Sequence, residues 1–331
     1  MTIPPRNRLL TALLTLPLLF ATMAGCSGKQ YLGWRNSEGV VVPADPYPPR
    51  GLAMFDGHEG RPLAWVDVMD AVRWADVIFL GEQHNDAVAH AVQLAIVEEA
   101  VELWPGTAVS LEMLERHEQH LVDEYLAGMI DQETFIEQTN SANWAGPGSW
   151  VVWYQPIIDA AKAHGSPVVA ANAPRQYVRL ARTGGVEALE QLTPAQQALF
   201  EYVHPLPGAG DPYRDRFFSL MQPAAGSAGA DAHGHAMTDE QIEGIFRAQL
   251  VWDATMAGSI ARALERGAPR VIHLVGQFHS DFHGANVTEL RHRRRSARIL
   301  TISFQPVNER ELRAEDHERA DIVIYTGVRR D

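Results

Sequence analysis

The sequence predicts an α/β protein: a mostly parallel central sheet flanked by helices, with a helical insertion capping the carboxyl rim. Three observations lead there. Six short apolar runs, Asp76–Leu80, Ala108–Glu112, Pro167–Asn172, Arg270–Val275, Arg298–Phe304 and Asp321–Tyr325, are continuous rather than alternating, as in strands covered on both faces. Helical patterns fill the intervals, at roughly 86–103, 115–128, 131–138, 152–164, 174–183 and 239–266, and such alternation builds a parallel sheet. Two of the runs also end alike, in Gly81-Glu82-Gln83-His84 and Gly276-Gln277-Phe278-His279.

The elements before the first run are not domain. Arg6 and Arg8 make a positive segment, and Leu9 to Phe20 is an apolar stretch of signal-peptide length, short for a bilayer span. Met23-Ala24-Gly25-Cys26 then reads as a lipobox, with Met where leucine is usual. Residues 1–25 are therefore expected to be a lipoprotein signal peptide, and Cys26 the lipidated N-terminus. Cys26 is the only cysteine, which leaves no intramolecular disulfide. Acyl chains on it would hold the protein to a membrane surface. Ser27, rather than Asp, points to the outer membrane facing the periplasm of a bacterial envelope. Residues 26–60, rich in Gly and Pro ("PADPYPPRG"), read as a tether and lead-in. Residues 61–331 read as a single α/β domain, large enough for a sizeable core.

The chain of 331 residues carries a formal charge of −13. Losing residues 1–25 removes two arginines and no acid, leaving −15. That excludes a nucleic-acid partner and weighs against an anionic membrane face. One local exception is "RHRRRSAR" at 291–298, a solvated helix end or an anion contact.

The long interval between the third and fourth runs holds the insert, at about 185–245. A Gly/Ala loop there contains Asp231, His233 and His235, solvated histidines or a weak metal site. Thr238 with Gln241 makes a capping box for the next helix. That helix carries Ile242, Ile245, Phe246, Leu250, Ala257, Ile260 and Leu264 on one stripe and stops at Gly267.

Ligands of open parallel sheets bind beyond the carboxyl ends of the strands. Four runs deliver polar residues to that rim: Glu82 and His84, Glu112, Asn172 with Arg175, and Gln277 with His279. A carboxylate at the end of a buried run needs a partner. The glycines let the chain turn sharply off a strand. Gln249 and Asp253 share a helix face with Met256, and Asp253 reads as either an orienter of a rim histidine or a helix-surface acid. Trp144, Trp150, Trp153 and Tyr154 pack the core or wall a flat ligand.

"VIFLGEQHNDAVAH", "SLEMLERHEQHLVDEYLAG", "WYQPIIDAAKAHGSPVVAANAPR", "FRAQLVWDATMA" and "VIHLVGQFHSDFHGA" together resemble the ChaN-like family of haem-binding uptake lipoproteins, within the Tiki/TraB and erythromycin-esterase superfamily. The resemblance runs from about residue 70 to 290. It implies a lipoprotein of haem or iron acquisition, haem held through a tyrosine between two subunits, and an outer-membrane haem receptor as partner. Tyr154, Tyr177 and Tyr213 are the candidate ligands, and Arg175 would meet a propionate. The Tiki-type relatives imply an alternative: a metal-dependent hydrolase, with a divalent metal on His84, His279 and Glu82, and Glu82, His84, Glu112 and His279 as the catalytic set.

Overall fold

The computed structural model describes residues 34–35, 41–42, 49–203, 205–221 and 237–327. Cys26, its lipobox, Asp231, His233 and His235 lie outside the described residues. The chain divides into two compact units, Met1–Ala44 and Asp45–Asp331. In the first, β1 (Trp34–Arg35) pairs antiparallel with β2 (Val41–Val42).

The second unit is built on one eight-stranded sheet. Its strands are β3 (Ala53–Asp56), β4 (Pro62–Leu63), β5 (Val77–Glu82), β6 (Ala108–Glu115), β7 (Val168–Asn172), β8 (Val271–Gly276), β9 (Ile299–Gln305) and β10 (Ile322–Tyr325). Their order is β4-β3-β10-β9-β5-β8-β6-β7. The six strands from β10 to β7 are mutually parallel, and β3 runs antiparallel to β10. All six apolar runs of the sequence are strands. The sheet also takes in β3, which lies in the stretch read as tether and lead-in. Its Met54 and Phe55 are buried, and Met54 joins the main core. Four residues beside Gly and Pro are too short for a periodic signal, so pairing with β10 at the far end of the chain decides their fate.

Helices cover both faces. They are α1 (Trp65–Trp74), α2 (Ala87–Leu103), α3 (Gln119–Leu126), α4 (Gln132–Gln138), α5 (Gln155–Ala163), α6 (Arg175–Glu190), α7 (Pro194–Gln197), α8 (Pro212–Met221), α9 (Asp239–Glu265), α10 (Gln277–Ser280) and α11 (Ala285–Arg293). Residues of α1, α2, α3 and α5 form the larger core with one sheet face; α9 and α11 build a second on the other. Asp86 caps α2, accepting from the Val88 and Ala89 amides. Thr238 and Gln241 form the expected capping box of α9, and Gly267 ends it at φ +98°. α6 breaks at Gly185 (φ +74°), just past the helical pattern at 174–183. The insert supplies α7, α8 and the first turns of α9. Tyr213, Phe217, Ile242, Phe246 and Leu250 bind α8 to α9 in a cluster of their own. Just before α5, Trp150–Tyr154 winds as a π-helix, a widened turn often found at functional sites. Among the described residues no helix is long and apolar enough to cross a membrane.

Candidate functional site

The two Gly-x-x-His motifs lie side by side. β5 and β8 are neighbours in register, so Gly81 stands opposite Val275 and Glu82 opposite Gly276. β6 is the next strand beyond β8 and brings Glu112 to the same level. The glycines serve close approach here rather than positive φ: Gly276 sits at φ −56°. A Cβ on Gly276 would lie 3.0 Å from the His84 ring, and one on Gly81 would lie 2.6 Å from Ser280 Oγ.

Glu82 is fully buried and saturated. It accepts from Tyr154 Oη at 2.7 Å and from Gln93 Nε2 at 2.8 Å, and its Oε1 faces His84 Nδ1 at 2.9 Å. His90 Nδ1 stands 3.5 Å from its other oxygen. Burial pushes the carboxyl up, but the charges of His90 and His84 and these hydrogen bonds outweigh it, so Glu82 titrates below the usual carboxylate value. His84 is held the opposite way. Burial pulls it down, while the Glu82 hydrogen bond and the charges of Glu112 and Glu82 lift it above an ordinary histidine. Its side chain is 42% exposed, and Trp144 meets the ring edge-on at 4.7 Å.

A second pair stands beyond Gly276. His279 Nδ1 lies 2.6 Å from Asp253 Oδ1, and its Nε2 lies 3.6 Å from Glu112 Oε1. Glu112 Oε2 in turn accepts from the Gly276 amide at 2.6 Å. Burial would lower the pKa of His279, but the charges of Asp253 and Glu112 raise it to about 9. Asp253, with no exposed surface, also accepts from Tyr213 Oη at 2.7 Å, and Gln249 Nε2 donates to that oxygen at 3.1 Å. The placing of Asp253 as an orienter of a rim histidine therefore holds. Each imidazole keeps Nδ1 on a carboxylate, the arrangement that fixes a ring's tautomer and aim.

Both pairs open on one cleft of about 960 Å³. Glu82, His84, Glu112 and His279 all line it, with Asn172, Arg175 and Gln277. Its apolar walls are Met113, Trp144, Phe217, Leu220, Met221 and Trp252. The insert thus reaches the cleft through the end of α8. Arg175 stands apart from the carboxylate network: its side chain is 65% exposed and lies 3.4 Å from Glu115. Glu118, also on the wall, is pushed up to about 7 by burial. Of the aromatic segment only Trp144 meets the cleft; Trp150 and Tyr154 are core and Trp153 stacks on His90.

The geometry bears on two expectations. None of the three tyrosines lines the cleft. Tyr154 and Tyr213 spend their hydroxyls on buried carboxylates, and burial together with those charges drives both well above an ordinary phenol. An iron-ligating tyrosinate is disfavoured beside a carboxylate. Tyr177 is buried with its ring 5.0 Å from that of Phe200. The metal reading of His84, His279 and Glu82 also fails to assemble. Among the described residues no three His, Cys, Asp or Glu side chains converge to hold a metal ion. The chemical reason lies with Glu82, whose two oxygens are already engaged by His84, Tyr154 and Gln93. The sequence reading missed His90 and Gln93. Polar residues three apart in the otherwise apolar first half of α2 are the signal that could have found them.

The model of the family described as haem-binding uptake, Tiki superfamily, ChaN matches residues 68–290. No curated protein matches the chain. Among solved structures, "Cofacial heme binding to ChaN of Campylobacter jejuni" is 19% identical, covering 82% of this chain and 96% of that one with a TM-score of 0.60. That likeness shows a shared fold. The type III effector HopBA1 (14% identity, 84% and 97% covered, TM-score 0.41) and an erythromycin esterase EreC mutant in its open conformation (14%, 76% and 77%, 0.40) are more distant.

Proposed function

Because the chain belongs to the haem-binding uptake family of the Tiki superfamily that includes ChaN, we propose that it binds haem in the carboxyl-rim cleft and serves haem or iron acquisition as a lipid-anchored protein. The observation that carries this reading is the cleft's composition. Trp144, Trp252, Met113 and Met221 offer flat or adaptable apolar walls, and the exposed Arg175 offers a cation for a propionate at the mouth. Bound there, haem would supply an iron centre open to a protein donor. With the tyrosines turned inward, the donor we assign is His84: it is half-exposed, lines the cleft, and has its Nδ1 held by a carboxylate that Tyr154 and Gln93 fix in turn. Cys26 would carry the acyl chains, holding the protein to the periplasmic face of the outer membrane. A second copy would close the open mouth on haem binding, and an outer-membrane haem receptor would be the transport partner.

Titration of ferric haem followed by absorbance and by gel filtration tests the reading. It expects a saturable Soret shift with an increase in mass, and a changed axial signature in His84→Ala. No saturable binding by the wild type would overturn the haem reading; an unaltered spectrum in His84→Ala would overturn only the ligand.

A further inference from the structure

The rim opposite the cleft has a chemistry of its own. Register sets the amino ends of the central strands level, since Val77 pairs with both Val271 and Ile299, and Ala108 with Val271. The residues that lead into these strands therefore share one face. They include Arg73, Arg266, Arg270, Arg294, Arg295 and Arg298. Arg298 is tied to Asp76 at 2.5 Å, and Arg294 lies 3.6 Å from Glu265. Arg270 is buried, giving its guanidinium to the Arg73 and Ala75 carbonyls at 2.6 and 3.0 Å and lying over Trp104. Arg73, Arg266 and Arg295 are exposed and have no acidic partner among the described residues. Two large apolar side chains stand in solvent at the same rim: Trp74 at the end of α1, 56% exposed beneath the Arg298 guanidinium, and Leu103 at the end of α2, 54% exposed.

Arginines near helix C-termini complement the helix dipoles. That accounts for the cations but not for a tryptophan and a leucine left in water beside them. Exposed Arg, Trp and Leu on one face are the residue types of a membrane interface. We propose that this amino rim docks on a bilayer of anionic phospholipid, its guanidiniums meeting phosphates and Trp74 and Leu103 entering the headgroup layer. The net charge, −13 for the full chain, weighs against an anionic surface only at long range. At physiological salt fields decay over about 8 Å, so the local patch decides the contact. Docked so, the cleft at the carboxyl rim faces away from the bilayer and stays open.

Hydrogen exchange of the acylated full chain in vesicles tests this, comparing phosphatidylcholine alone with phosphatidylcholine containing phosphatidylglycerol. The acyl anchor is the same in both, so a difference reads docking. Residues 70–76 and 291–298 are expected to exchange severalfold more slowly with phosphatidylglycerol present, and residues 277–283 at the cleft equally in both. Arg266→Glu combined with Arg295→Glu should erase the difference, as should high salt. Equal exchange of 291–298 in both vesicles, or protection that survives the double reversal, overturns the proposal and leaves the face to a protein partner. Haem binding is not read by this experiment, so the two readings fail separately.

Discussion

Glu82 and Gly276 are partners across two adjacent parallel strands, though they come from opposite halves of the chain. That single register places both histidine-carboxylate pairs on one cleft. His84 lies against Gly276 from one side, and Glu112, bonded to the Gly276 amide, faces His279 from the other. Four expectations follow from this arrangement and from the chain's N-terminal segment.

Stability should fall as pH rises above neutrality, and His279 should carry much of the fall. Its folded pKa, about 9, is raised above the ordinary value of 6.5 by Asp253 and Glu112. A raised pKa stabilises fully below the unfolded value and loses that contribution as pH climbs through the folded one. The window is therefore pH 6.5 to about 9. Thermal unfolding across it should be steep in the wild type and flatter in Asp253→Asn. Equal slopes would show that the pair does not couple to folding.

His84→Ala and His279→Ala should act non-additively on stability. Glu112 acts on both rings, and His279 acts on His84 directly. Residues in one network show coupling of about 0.5–3 kcal/mol. Denaturant unfolding of both single variants and the double measures it, and additivity would mean two independent strand ends.

Tyr154→Phe should destabilise the protein by about 1–3 kcal/mol, because a buried carboxylate loses a donor. It should leave haem binding and the axial signature intact. Loss of the iron's ligand spectrum in this variant alone would restore Tyr154 as the ligand.

Cys26→Ser should move the protein out of the membrane fraction, because acylation at Cys26 is the anchor expected from the lipobox. Fractionation with an acyl label measures this. Retention with unchanged label would end the anchoring claim.

The sequence by itself determined the six parallel strands, the helices that alternate with them, and the rim on which Glu82, His84, Glu112, Asn172 and His279 meet. Continuous apolar runs ending in Gly-x-x-His are local signals, and a parallel sheet brings every strand's carboxyl end to one side. Asp253 was legible because a lone acid in an apolar helix needs a partner. Other features were decided only by tertiary structure. β3 exists because β10 pairs with it. Tyr154 is core rather than ligand because Glu82 arrives beside it, and Tyr213 because Asp253 does. Arg294, Arg295 and Arg298 form a face only when α1, α9 and the starts of β8 and β9 come level with them. Burial and carboxylate pairing are properties of neighbours distant in the chain, and no pattern along the sequence records which neighbour a side chain will meet.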